Sequence, residues 1–170
     1  SHKIYEYQTE LLTDNGYHVV AIDLRGFGQS DTPAAGYSYD QMATDIYNVV
    51  CKMNLRKFIF VGFSMGGAIA LRYMNVYSGY GVKKLILLSA AAPSWTQRKG
   101  FPYGLTREAV DQLIEQARTD RPQLAYDFSH RQLFACPQSE AAKKWFENIA
   151  LSASGIGTIQ TAFSLLDEDG

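Results

Sequence analysis

The sequence predicts an α/β fold in which a mostly parallel sheet is flanked by helices, and three observations lead there. Apolar runs at residues 17–22, 58–61 and 84–89 have the length and composition of strands. Segments with apolar residues at helical spacing lie between them, above all Met42, Ile46, Val49, Val50 and Met53. Strands alternating with helices build a parallel sheet, because each helix carries the chain back to the edge where the next strand must start. The third observation is Gly62-Phe63-Ser64-Met65-Gly66-Gly67, a tight turn set between an apolar run and the helix-forming segment Ala68-Ile69-Ala70-Leu71-Arg72-Tyr73.

Taken in order, residues 6–15 read as the tail of a helix with Tyr7, Leu11 and Leu12 inward, ended by Asn15-Gly16. The first strand follows at 17–22. The loop Asp23-Leu24-Arg25-Gly26-Phe27-Gly28-Gln29-Ser30-Asp31 carries glycines that permit positive φ and polar side chains able to bond backbone donors. Ser38-Tyr39-Asp40-Gln41 offers a capping box for the next helix. After the serine turn and its helix, Ser78-Gly79-Tyr80-Gly81 marks a turn into a third buried strand at 84–89. From about Ala90 helical periodicity takes over. Thr106 can cap a helix with Val110, Leu113, Ile114 and Ala117 inward, Arg121-Pro122 starts another, and Ser139 can cap a third bearing Trp145, Phe146 and Ile149.

The serine turn carries the chemistry. A Gly-x-Ser-x-Gly sequence between a strand and a helix is the context of a nucleophile elbow, in which Ser64 is held in a strained conformation and pushed out of the turn. Side chains at Gly62 and Gly66 are expected to obstruct the approach of strand to helix. The helix that follows aims free N–H groups and its positive dipole end at the site, so the Met65 backbone N–H is placed to stabilise an oxyanion.

On these residues the chain resembles the α/β-hydrolases, and the resemblance extends to the Asp23–Asp31 loop, which is similar to the family's Asp-x-Arg-Gly-x-Gly-x-Ser loop. The entry Gly36-Tyr37-Ser38-Tyr39-Asp40 and the late stretch Ala150-Leu151-Ser152-Ala153-Ser154-Gly155 resemble most the branch of cofactor-free haloperoxidases and esterases. Gly67 departs from that branch, where the resemblance implies threonine. The family order of catalytic groups is Ser, then Asp or Glu, then His. Only His130 follows Ser64, three residues after Asp127 in a segment that reads as a surface helix pair, and Asp167, Glu168 and Asp169 read as a solvated helix end. The resemblance therefore implies that the acid and histidine lie beyond residue 170, and that the second oxyanion donor lies before residue 1. It also implies an α/β-hydrolase fold present only in part: a partial core over residues 1–93 holding the elbow, and a helical lid over 94–170. The strand expected between the runs at 17–22 and 58–61 is absent. Trp95, Phe101, Tyr103, Phe128, Phe134 and Trp145 are candidates to line the lid pocket or to form the lid core.

The function implied is a serine hydrolase that cleaves a carboxylic ester, lactone or thioester through an acyl-enzyme, with a cofactor-free perhydrolase side activity; this chain by itself is expected to be inactive. Serine at the elbow argues against the aspartate chemistry of dehalogenases and epoxide hydrolases. The alternative is a non-catalytic relative that binds a ligand or partner. The expected partner is a small ester-like molecule, with no cofactor and no metal, since no metal-ligand spacing occurs. Composition agrees: 170 residues suit one domain with a sizeable core, and 16 basic against 17 acidic residues, scattered along the chain, give no patch for nucleic acid. No apolar run reaches the ~20 residues of a membrane span, and a cytoplasmic location is the default. Cys51 and Cys136 lack redox or metal spacing and read as small buried or incidental residues.

Overall fold

A computed structural model describes residues 1–170. After a 3-10 turn at His2–Tyr5, the elements in chain order are α1 (Glu6–Asp14), α2 (Tyr39–Lys52), β1 (Phe58–Phe63), α3 (Met65–Val76), β2 (Val82–Leu88), α4 (Arg107–Thr119), α5 (Arg121–Asp127), a π-helical turn (Phe128–Gln132), α6 (Glu140–Leu151) and α7 (Gly155–Asp167). They form two compact units. One comprises Ser1–Ala34 and Glu115–Ile159, the other Ala35–Ile114 and Gln160–Gly170.

The second unit holds the sheet. Ser38 Oγ accepts from the Gln41 N–H at 3.2 Å and so starts α2, whose Met42, Ala43, Ile46 and Val50 are buried. β1 and β2 pair in parallel, in register from Ile59↔Lys84 to Phe63↔Leu88, and α3 is the crossover between them. One face of α3, with Ala68, Ile69, Ala70 and Tyr73, is completely buried; α2 and β1 both pack against this helix. The Tyr73 hydroxyl donates to Tyr80 O at 2.7 Å, and burial pushes its pKa up to about 12. A second apolar cluster joins Val110, Ile114 and Leu166, with Trp95, Ala162 and Phe163 against it. The tail after α7 is strapped down by polar bonds: Glu168 Oε2 accepts from Tyr39 N–H at 3.0 Å, Arg98 donates to Glu168 O at 2.5 Å, and Arg72 donates to Asp169 O at 2.6 Å. Within this unit the Tyr39 hydroxyl is buried and has no hydrogen-bond partner.

In the first unit, Asp120 Oδ1 accepts from Gln123 N–H and Ser139 Oγ from Ala142 N–H, each at 3.1 Å, capping α5 and α6. These helices and the π-helical turn pack together. His130 in that turn stacks on Tyr126 at 4.1 Å and places Nε2 3.1 Å from Glu147 Oε2. The Lys144 ammonium bonded to Glu147 holds that carboxyl below its ordinary pKa against the opposing effect of burial, with His130 adding to the lowering.

Several expectations are corrected. Residues 17–22 join no ladder, because a strand exists only where another offers its backbone, and β1 and β2 are the only paired strands. Tyr7 and Leu11 are 67% and 64% exposed rather than inward. β2 is not a buried strand: Ile86, Leu87 and Leu88 are each more than two-fifths exposed, since one neighbouring strand cannot cover both of its edges and faces. Both cysteines are exposed, which overturns the buried reading of them and not the incidental one. Asp127 and His130 do not pair with each other; Asp127 binds Arg131 at 2.8 Å, and His130 is largely buried beside Glu147. Asp167 and Asp169 are exposed, as a solvated helix end should be, and carry surface ion pairs as well, Asp167 with Arg107 and Asp169 with Arg72. No single helix is long and apolar enough to cross a membrane.

Candidate active site

Ser64 stands between the last residue of β1 and the first of α3, at φ 50° and ψ −122°. This left-handed backbone is costly for any residue with a Cβ, and it persists only where neighbours over-determine it. Three hydrogen bonds do so here. Ser64 N–H donates to Leu88 O at 3.0 Å, and Ser64 O accepts from both Gly67 N–H and Ala91 N–H at 2.9 Å. The residue remains partly exposed.

The glycines divide the work unevenly. A Cβ on Gly62 would lie 2.6 Å from Gly66 O and 2.7 Å from Gly67 Cα, so this position must be bare for β1 to meet α3. Gly66 has open space where its Cβ would stand, which corrects the expectation that it, too, prevents obstruction. The second crowded position is Gly67, whose Cβ would overlap the Ala90 methyl. A threonine there, as the resemblance implied, would collide with the same methyl.

Met65 is the first residue of α3, so its N–H has no intrahelical carbonyl to bond, and the helix places its positive end at the turn. The residues brought together are therefore Ser64, Met65 and the segment after β2; that last contribution was missed by sequence reading. Its signal was the small-residue run Ala90-Ala91-Ala92, which permits close backbone approach.

The Asp23 loop, in the first unit, is built around its own carboxylate. Asp23 accepts from His2 N–H and Gln29 N–H, and the His2 ring Nδ1 lies 2.9 Å from Oδ2. Burial tends to raise the Asp23 pKa, but the bonds from Gln29 and His2 outweigh it and hold the carboxyl below its ordinary value. Gly28, at φ 56°, is required because a Cβ would overlap the same carboxylate. His2 and Asp23 thus fix a loop. None of the three histidines, His2, His18 and His130, belongs to the unit that carries Ser64. No group of three or more His, Cys, Asp or Glu residues is arranged to hold a metal ion.

Comparison with known proteins agrees with this geometry. Residues 1–168 match the family described as alpha/beta hydrolase fold. The AB hydrolase superfamily protein YisY of Bacillus subtilis is 47% identical over 169 residues, which are 99% of this chain and 63% of that protein. A non-heme haloperoxidase of Rhodococcus erythropolis is 34% identical over 125 residues, 74% of this chain and 46% of the relative. Among solved structures, the esterase EaEST from Exiguobacterium antarcticum superposes with a TM-score of 0.95 at 45% identity, covering 99% of this chain and 62% of that one. The chain thus spans less than two thirds of the length of these relatives. With a strand, a strained serine turn and a helix in the family's order, it belongs to the α/β-hydrolase family, in the branch of the esterases and non-heme haloperoxidases.

Proposed function

We propose that Ser64 is the nucleophile of a serine hydrolase acting on a carboxylic ester, lactone or thioester. The observation that carries this reading is the backbone of Ser64, a non-glycine residue at φ 50° between a strand and a helix N-terminus. In this mechanism Ser64 Oγ forms a bond to the carbonyl carbon while its proton passes to a histidine. The negative charge that develops on the carbonyl oxygen is held by the Met65 N–H and a second donor. The carbonyl re-forms, the bond to the leaving alcohol or thiol breaks, and that group takes the proton. Water then attacks the acyl-enzyme, releasing the acid and restoring Ser64. Hydrogen peroxide in place of water would release a peracid, a side activity in keeping with relatives named non-heme chloroperoxidase and bifunctional esterase/perhydrolase.

The base and its carboxylate are proposed to come from sequence outside residues 1–170, with this chain alone inactive. Two facts support that: His130, the one histidine that follows Ser64, is engaged with Glu147 and Tyr126, and the relatives are longer. Residues 1–93 are proposed as core and 94–170 as the lid that excludes water from the acyl-enzyme.

The test is exposure to a serine-reactive fluorophosphonate followed by peptide mass spectrometry, on this chain and on a form extended at both ends. The extended form is expected to carry one adduct on Ser64, lost in Ser64→Ala, and the chain alone none. An adduct on the chain alone would overturn the assignment of the base. No adduct on either would favour a non-catalytic ligand-binding relative.

A further inference from the structure

Two hydrogen bonds and one methyl contact at the end of β2 bear on Ser64 without belonging to the elbow. Leu88 O accepts from Ser64 N–H, Ala91 N–H donates to Ser64 O, and the Ala90 methyl fills the space that a Gly67 Cβ would need. Between them Ser89 adopts φ 43°, so both strands leave the sheet through a serine with left-handed backbone, one position beyond the paired residues Phe63 and Leu88. A second strained turn beside the first must be held in place by what it contacts.

The peptide plane gives the arrangement its meaning. Ser64 C=O and Met65 N–H belong to one peptide unit, and in a trans peptide they point in opposite directions. Whatever anchors the carbonyl therefore aims the N–H. Ala91 N–H and Gly67 N–H both bond that carbonyl at 2.9 Å, and Ala91 is buried, which shields its bond from water.

We propose that residues 89–91 form a seat that aims the Met65 N–H, with Ala90 as the positioning residue whose size is matched to Gly67. The proposal rests on Ser64 and Met65 having the roles given above. A side chain at position 67 displaces Ala90, Ala90 carries Ala91 N–H away from Ser64 O, and the peptide, left with the Gly67 N–H as its one anchor, lets Met65 N–H swing from its line of action. Ala90 touches no substrate in this scheme.

The experiment transfers one methyl across the contact, comparing Gly67→Ala, Ala90→Gly and the double variant in the extended form. Two readouts are taken: amide hydrogen exchange at Ala91, which reports the seat itself, and the rate of Ser64 fluorophosphonate labelling. Gly67→Ala is expected to speed Ala91 exchange by about tenfold or more. It should slow labelling by roughly ten- to a hundredfold, short of the 10²–10³ lost with a whole oxyanion donor. In ester hydrolysis the loss should fall on kcat with KM little changed. The double variant should recover a large part of both readouts, since it removes the overlap with the Ala90 methyl and leaves only the tighter-than-usual 3.0 Å approach to Ala90 Cα. Should Gly67→Ala fail to fold, Ala90→Gly alone adds no bulk and is expected to speed Ala91 exchange by loosening the seat. Unchanged Ala91 exchange in the folded variants would overturn the proposal, as would a double variant no faster at labelling than Gly67→Ala. Exchange that responds in a protein whose Ser64 never labels would leave the seat standing and sink the hydrolase reading instead.

Discussion

Gly62 and Gly66 flank Ser64 symmetrically in sequence, yet the structure assigns them opposite tolerance to a methyl group. In Gly62→Ala the new Cβ would stand 2.6 Å from Gly66 O, 2.7 Å from Gly67 Cα and 2.9 Å from Gly66 C. All three are backbone atoms, so no rotamer can move aside. Reaching an ordinary contact of 3.4 Å requires β1 and α3 to part by about 0.8 Å at their closest point. Overpacking of that kind costs about 1–3 kcal/mol. For a chain of this size, 2 kcal/mol is a fall in Tm of roughly 4–8 °C. A displacement near 1 Å at the turn should also slow Ser64 chemistry by about a hundredfold. In Gly66→Ala the methyl enters open space inside a helix, where alanine is favoured by up to about 1 kcal/mol. Tm should hold or rise. Thermal melts of the two variants, monitored by circular dichroism, make the comparison. A Gly66→Ala protein as unstable as Gly62→Ala would refute the reasoning, because it would mean that the motif's two glycines serve the same packing role.

Two further predictions follow from single groups. Tyr39→Phe removes a hydroxyl that is buried without a partner, and should leave stability unchanged or raise it by up to about 1–3 kcal/mol in urea unfolding; a clear loss would mean that the hydroxyl has a bonded partner in solution. Asp23 has a folded pKa held below the ordinary carboxylate value, so it contributes stability that is complete above about pH 4 and is lost as pH falls through the folded pKa. Asp23→Asn should be less stable at neutral pH and should show a shallower acid loss below pH 4 than the native chain, measured by urea midpoints across pH; parallel curves would remove Asp23 from the acid response.

What the sequence disclosed was largely local. Ser38, Thr106 and Ser139 each cap the helix expected of them, because a cap depends on residues two or three positions away. The α2 stripe buries Met42, Ile46 and Val50 as its spacing implies, and the elbow was legible because strand, serine turn and helix are consecutive. Where a partner lies far along the chain, the pattern was silent or misleading. Residues 17–22 have strand composition but no neighbouring strand to pair with, and Tyr7 and Leu11 keep helical spacing on a face that stays exposed. Gly66 and Gly67 look alike as letters; only Ala90, over twenty positions later, tells them apart. Asp127 and His130 stood close enough in sequence to suggest a pair, while the true partner of His130, Glu147, lies across a packing contact.

The way the two units interleave has a consequence for how the chain acquires its shape during synthesis. Ser164 Oγ donates to Tyr37 O, Glu168 accepts from Tyr39 N–H, and Gly170 N–H donates to Pro93 O. The first two of these bonds join residues more than 120 positions apart. The sheet and the serine turn are complete as polypeptide by Leu88, but the unit containing them cannot close until some eighty further residues, including all of Glu115–Ile159, have emerged. Long-range closure of this kind is slow and leaves apolar surface waiting. Ile86, Leu87 and Leu88, which the pleat turns to both faces of β2 and which stay about two-fifths exposed, are then apolar surface for a chaperone to cover on the nascent chain.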